Sequence, residues 1–303
     1  MTRRVGAVDI GTNSTRLLVA DVSAAGGIAE VDRLLEITRL GDRVDADHRL
    51  SDAAMARVHA ALERYAARAS QLGAEPVLAT ATSAVRDAAN GGEFLAEVGA
   101  RHGFVTRLLS GDEEAELTYR GVCSRERVGD GTLICDIGGG STELVLGGHD
   151  GVRDRASLDI GCVRLSERHL HTDPPTADEL ATLRAEAAAA LPARLTSAAR
   201  ALVGVAGTVS TLATIDMGLE CEIPEVIDGH RLPAAAVERL LGELAALPLE
   251  QRRLVRGLMP ERAPTIVAGA VILATVVTAT AAETVVVSER DILHGAALAA
   301  FDL

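Results

Sequence analysis

The most constraining feature of this chain is an internal repeat. DIGTNSTRLLV at 9–19 aligns without gaps on DIGGGSTELVL at 136–146, and Asp, Ile, Gly, Ser, Thr and Leu are identical, six of the eleven positions. Each copy is an apolar run ending in Asp, a glycine-containing turn and a second apolar run, which is the pattern of a β-hairpin. One such hairpin by itself asks only for residues that tolerate positive φ. Two matching copies, one early in each half, say more. A turn of this kind presents successive backbone N–H groups together with Ser and Thr hydroxyls, which makes an anion nest. The Asp that closes the first run suits a divalent cation also touched by a phosphate. The repeat therefore predicts two related domains, each with one phosphate-binding turn, the turns facing one another across a cleft. It is not G-x-G-x-x-G, and no helix follows the turn directly, so a Rossmann reading fails.

The rest of the chain alternates strand and helix, which predicts α/β architecture. Strands are expected at 5–8, 16–22, 31–38, 77–81, 105–109, 133–136, 142–146, 202–206 and 285–287. Helices are expected at 51–72, from 83, from 110, from 176, and at 207–217, 233–247, 260–282 and 291–300. Ser110-Gly-Asp-Glu113 and Thr176-Ala-Asp-Glu179 both have the capping-box form of a helix start. The domain junction is expected within 115–130, giving domains 1–120 and 121–303, with the last helix able to pack back on the first domain. TIVAGAVILATVVTATAA at 265–282 carries no charge and reaches the lower edge of membrane-spanning length. It is rich in Ala, Thr and Gly and flanked by Arg262 and Glu283, so it reads as a helix buried in a soluble core. The N-terminal apolar run is broken by Asp9 and Gly11 and is no signal peptide.

Charge excludes several classes. Among 303 residues there are 30 Lys+Arg against 43 Asp+Glu, a net charge of −13, and all the basic residues are Arg. A Walker A loop, a protein kinase and a pyridoxal enzyme each need a lysine, so none of them fits. The acidic balance argues against nucleic-acid and membrane-surface partners. An anionic ligand would have to be met by local Arg and backbone N–H groups. Cys123, Cys135, Cys162 and Cys221 show neither paired nor metal-ligand spacing, which predicts buried free thiols in a cytoplasmic protein. A third glycine-rich turn, GVAGTVST at 204–211, follows an apolar run and opens a helix. It reads equally as an anion site or as an ordinary strand–helix turn.

Further segments extend the pattern: ATATSAVRDAAN at 79–90, SGDEEAEL at 110–117, DIGCVRLSER at 159–168, VAGTVSTLA at 205–213, ERAPTIVAGAVIL at 261–273 and SERDILHG at 288–295. With the two repeat copies, and in this order, they resemble the Ppx/GppA family of exopolyphosphatases and guanosine pentaphosphate phosphohydrolases. The segment at 159–168 is most similar to the short actinobacterial type. The resemblance implies two ribonuclease-H-like (actin-like) α/β domains with an interdomain cleft. It implies Mg2+-dependent hydrolysis, with Mn2+ as a substitute, of the terminal phosphate of inorganic polyphosphate. The alternative is the 5′-phosphohydrolase reaction on guanosine pentaphosphate (pppGpp). A cytoplasmic homodimer is also implied. A kinase of the same superfamily, or a polyphosphate or nucleotide sensor without catalysis, are the remaining classes, and an intact Glu114 argues against the sensor. The chain ends at 303, without the C-terminal helical domains of longer members, and Arg252, Arg253 and Arg256 are its one dense basic cluster. Short polyphosphates and distributive release are therefore expected.

Phosphoanhydride hydrolysis needs an activated water, neutralised phosphoryl charge and a stabilised leaving phosphate. Glu113 and Glu114 compete for the general-base role, and Glu113 already has the third position of a capping box to fill. By resemblance the catalytic Glu is the one preceding Ala, which is Glu114; Glu143 is the next candidate. Asp9, Asp136 and Glu143 resemble the acidic set that holds Mg2+. The phosphate ligands implied are Gly11, Thr12, Asn13, Ser14 and Arg16 in the first copy. In the second copy they are Gly138, Gly139, Gly140, Ser141 and Thr142. Arg86, Gly207, Thr208 and Arg262 complete the set. Arg86 could instead pair with Asp87 or Glu93, and His294 reads as peripheral.

Overall fold

The computed structural model describes residues 1–125 and 128–303; residues 126 and 127, inside the stretch expected to hold the domain junction, lie outside the described residues. The chain divides into two compact units, one of Met1–Arg127 with Arg290–Leu303 and one of Val128–Glu289.

The first unit runs β1 (Thr2–Ile10), β2 (Thr15–Ser23), β3 (Ile28–Glu36), α1 (Val44–Asp47), α2 (Asp52–Gln71), β4 (Val77–Ala81), α3 (Ser83–Asp87), α4 (Gly91–His102), β5 (Val105–Leu108) and α5 (Gly111–Val122), with α14 (Ile292–Phe301) from the chain's end. Its sheet has the order β3-β2-β1-β4-β5. The β1–β2–β3 meander is antiparallel, and β4 and β5 continue it in parallel. This is the ribonuclease-H-like order that the resemblance implied. Both faces of the sheet are covered, so β1 and β2 alternate between two cores rather than between core and water. Val8, Ile10, Leu17 and Val19 pack with α2 and α4 residues such as Val58, Leu62 and Phe94. Val5, Ala7, Leu18 and Ala20 pack against Leu293, Ala296, Ala297 and Ala300 of α14. Ser51 caps α2 by accepting the Ala54 N–H, and Gly73 follows the helix with φ 68.

The second unit runs β6 (Thr132–Ile137), β7 (Thr142–Gly148), β8 (Gly151–Leu158), α6 (Cys162–His169), α7 (Ala177–Ala190), α8 (Ala193–Thr196), β9 (Ala201–Val205), α9 (Ala206–Asp216), α10 (Pro224–Ile227), β10 (Arg231–Pro233), α11 (Ala234–Ala245), α12 (Leu249–Arg252), α13 (Ile266–Thr280) and β11 (Thr284–Val287). The sheet order is β10-β11-β9-β6-β7-β8, the arrangement of the first unit with β10 added at one edge. The repeat is thus structural as well as sequential. Each copy's turn is closed by the same bond, Gly11 N–H to Ser14 C=O and Gly138 N–H to Ser141 C=O, both 3.0 Å. The register irregularity in the following strand also recurs at the equivalent place, Val19/Ala20 and Leu146/Gly147.

The charge-free segment forms α13, buried from Ile266 to Val277 among the core of the second unit. An all-round apolar helix is what the centre of a helical layer requires. Among the described residues no helix is long and apolar enough to cross a membrane. Several expectations need correction. The helix expected at 260–282 is broken into a 3-10 turn, Pro260–Arg262, and α13. The helix expected from 83 ends at Asp87, and α4 starts afresh at Gly91. The polar edge strand β8 and the short helix α6 carried no apolar periodicity that would have announced them. Of the four cysteines, Cys135 and Cys162 are buried, but Cys221 is exposed.

Candidate active site

In an open α/β sheet, ligands bind just beyond the carboxyl ends of the parallel strands. In the first unit those ends are β1, β4 and β5. Asp9 is the penultimate residue of β1 and pairs in register with Arg16 on β2 and Thr80 on β4. Arg86 lies on α3, directly after β4, and Glu114 in the first turn of α5, directly after β5. In the second unit Asp136 occupies the same place on β6, beside Glu143 on β7 and Val205 on β9. Gly207 and Thr208 follow β9 at the start of α9.

The turns are built as nests. In the second copy the carbonyls are tied down: Gly138 C=O accepts from Cys162 N–H, Gly139 C=O from Val163 and Arg164 N–H, and Gly140 C=O from Arg164 Nε. In the first copy Thr12 and Asn13 C=O accept from Gly41 and Arg39 N–H. Among the described residues the amides of Thr12, Asn13, Ser14, Gly139, Gly140 and Ser141 donate to no acceptor. Peptides held by their carbonyl side and open on their amide side favour an anion. Thr142, expected on phosphate, instead donates its hydroxyl to Ile160 C=O at 2.5 Å, and its counterpart Thr15 bonds Thr38. Both threonines are fully buried.

Glu113 and Glu114 are separated by their surroundings. Glu113 completes the capping box: its Oε2 accepts from Ser110 N–H at 2.9 Å and Ser110 Oγ–H at 2.8 Å, and its Oε1 from Arg107 at 2.5 Å. The Ser110 backbone bond, then Arg107 and the Ser110 hydroxyl, hold its pKa down at about 2. Such a carboxylate is a weak base. Glu114 is buried at 7 % exposure, with Oε2 3.3 Å from Arg86 Nη1. Arg86 Nη1 also donates to Leu109 C=O at 2.8 Å. Arg86 thus faces Glu114 rather than the Asp87 or Glu93 weighed from sequence, because α3 points it across the end of β5.

Arg16 departs from its expected role. Its Nε and Nη2 donate to Asp9 Oδ2 at 3.1 and 2.7 Å, and its Nη1 to Asp291 Oδ2. It sits between two carboxylates rather than open to a phosphate. Burial opposes its charge, but Asp291 and Asp9 outweigh this and raise its pKa. Burial pushes the Asp9 carboxyl up, against the pull of Arg16. Asp9 Oδ1 is buried and has no hydrogen-bond partner among the described residues. His294 is not peripheral: it is fully buried, with Nε2 3.0 Å from Glu30 Oε1. Sequence reasoning missed Asp291 and Ser157, whose hydroxyl donates to Glu143 Oε1 at 2.7 Å. An Asp at a helix start reads from sequence as a cap, and Asp291 is one; nothing local reveals its second partner.

In the second unit Arg262 is buried, and its Nε has no partner among the described residues. Its guanidinium comes against Gly207: a Cβ there would fall 1.2 Å from Arg262 Nη1. The preceding Ala206 has φ 66, left-handed for a non-glycine residue. Strain of this kind concentrates at functional turns. Burial raises the neighbouring Cys162 thiol, against a bond with Thr265 and the Arg262 charge.

A family model described as the Ppx/GppA phosphatase family matches residues 18–301. The chain belongs to that family. Exopolyphosphatase 2 of Mycobacterium tuberculosis is 38 % identical, covering 97 % of this chain and 98 % of that protein. The crystal structure of an exopolyphosphatase-like protein superposes with a TM-score of 0.91 at 33 % identity, covering 98 % of this chain and 97 % of that one. The Aquifex aeolicus Ppx/GppA enzyme gives 0.84 at 28 % identity, covering 99 % and 100 %.

A divalent cation fits what this Ppx/GppA chain offers. Among the described residues no three His, Cys, Asp or Glu side chains converge on one point. Mg2+ takes only one or two carboxylates and completes its shell with water and phosphate oxygens. The orphaned Asp9 Oδ1, and Asp136 beside Glu143, are donors of that kind.

Proposed function

We propose that this chain is an exopolyphosphatase that removes the terminal phosphate of inorganic polyphosphate, with Mg2+ and as a cytoplasmic homodimer. The carrying observation is the separation of the two adjacent glutamates: Glu113 is held in a cap, while Glu114 is buried against Arg86 beyond the sheet that bears Asp9. The amides of the turns, with Arg262 over Gly207, take the phosphoryl oxygens. Arg86 orients the Glu114 carboxylate. Glu114 accepts a proton from the attacking water as the new P–O bond forms and the terminal P–O–P bridge breaks, and that proton is then free to pass to the departing polyphosphate. Asp9, Asp136 and Glu143 are each placed to offer a carboxylate to Mg2+, directly or through water, and the bound ion would neutralise charge on the phosphates. The likeness to an exopolyphosphatase along the whole chain supports polyphosphate over guanosine pentaphosphate.

Release is distributive and favours short chains. The cluster at 252–256 is no basic track: Arg252 is buried and donates to the Leu244, Leu247 and Ala263 carbonyls. Arg253 pairs with Glu250 and Arg256 with Glu220. The test is phosphate release from polyphosphates of defined length, beside guanosine pentaphosphate and ATP, with and without Mg2+. Release from polyphosphate that depends on Mg2+ is expected; activity confined to guanosine pentaphosphate would overturn the substrate, and no release from any of them the function.

A further inference from the structure

Asp291 is 2 % exposed and carries no part of the chemistry set out above. It caps α14, with Oδ1 accepting the Leu293 N–H at 2.9 Å, while Oδ2 accepts from Arg16 Nη1. Arg16 in turn makes an unusual contact with Asp9. An arginine meeting a carboxylate usually sets two N–H groups on two oxygens. Here Nε and Nη2 both fall on Oδ2, and Oδ1 is left bare inside the protein. Nη1 lies off the Nε–Nη2 edge that meets Asp9, so a pull on Nη1 draws the guanidinium sideways and offsets the fork.

We propose that Asp291 is a positioning residue that draws Arg16 aside and keeps Asp9 Oδ1 open for the divalent cation. This rests on Asp9 being a site carboxylate.

Asp291 is well fixed for that task. Its N–H donates to His294 Nδ1 at 3.3 Å, and His294 Nε2 is anchored on Glu30. Its carbonyl lies against Gly121 of α5, where a Cβ would come within 1.8 Å, so only glycine admits the contact. α5 is also the helix that presents Glu114, which ties the two devices to one element. The repeat supplies an internal contrast. Its second copy has Glu143 in the place of Arg16, held by Ser157 Oγ, and needs no second carboxylate to steer it.

The test replaces Asp291 by Asn and, separately, by Ser. Both keep an N-cap acceptor, so the helix start survives. Neither attracts Nη1 as a carboxylate does, and Arg16 is free to close its fork over both Asp9 oxygens. Mg2+ binding is read from the rise of Tm with Mg2+ concentration, beside the Mg2+ dependence of phosphate release. Outer partners of a metal ligand typically change affinity ~10–100-fold. We expect the half-saturating Mg2+ concentration to rise ~10-fold or more in both variants; removing one partner of a buried ion pair also lowers stability, so the reading is the rise of Tm with Mg2+ relative to each variant's own metal-free Tm. In an Arg16→Gln background, where no fork can close, Asp291→Asn should add no further loss. Variants with the parent's Mg2+ dependence, or an equal loss in the Arg16→Gln background, would overturn the inference. A parent that neither binds Mg2+ nor releases phosphate would instead overturn the function, and the inference with it.

Discussion

Exchanging Glu114 for Gln keeps the shape of the side chain and removes its proton acceptor. The amide oxygen can still accept from Arg86 Nη1, which lies 3.3 Å from Glu114 Oε2 and retains Leu109 C=O at 2.8 Å. The local geometry should therefore persist, and binding of polyphosphate with it. Loss of a general base typically costs ~10²–10⁴ in rate, which is about 2.7–5.4 kcal/mol of transition-state stabilisation at ~1.36 kcal/mol per decade. The control is Glu113→Gln. Gln is accepted at this position of a capping box, so the helix start is kept. What is lost is the ion pair with Arg107, whose partners are 48 % and 40 % exposed; exposed pairs are worth only ~0–1 kcal/mol. Glu113→Gln should therefore stay within a few-fold of the parent in kcat. The assay is colorimetric phosphate release from a short polyphosphate at saturating substrate and Mg2+, with binding measured by calorimetry. Turnover of Glu114→Gln close to the parent's, or an equal collapse in Glu113→Gln, would refute the assignment.

Gly207→Ala places a methyl where Arg262 lies, 1.2 Å from Nη1, and the flexible guanidinium must yield. A charge-assisted hydrogen bond is worth ~1.5–3 kcal/mol, so phosphate release should fall ~10–100-fold with Tm little changed; normal activity would mean Arg262 is not a ligand. Burial lowers the pKa of both His59 and His102, which are bonded to each other at 3.0 Å. Below pH ~6.5 the unfolded chain then binds more protons than the folded one, and stability falls as pH falls. Burial opposes the charged form of His294, but Asp291 and Glu30 raise its pKa, so it acts in the opposite sense. The reading is therefore a difference: Tm of His102→Gln should fall less steeply than the parent's between pH 7 and pH 5, and parallel curves would contradict it. Finally, a long polyphosphate should shorten as a continuous ladder on a gel; full-length chains persisting beside free phosphate would contradict distributive release.

The sequence by itself determined the architecture. The repeated hairpin carries its own geometry, since a turn that closes Gly11 on Ser14 also closes Gly138 on Ser141. Capping boxes at Ser110 and Thr176 are local signals and were legible for that reason. So was the role of Glu113, whose partners Ser110 and Arg107 lie within six residues. The tertiary structure alone decided which charges meet. Arg16 lies 275 positions before Asp291, and His294 264 after Glu30. Arg86 turned to Glu114 and away from its neighbours in sequence. Arg252, part of the one dense basic cluster in the sequence, is buried and donates to three carbonyls of its own unit. Local bonds are encoded within a helical turn or a hairpin. Ion pairs inside a core depend on which strand ends and helix starts the fold brings together, and a one-dimensional pattern holds no record of that.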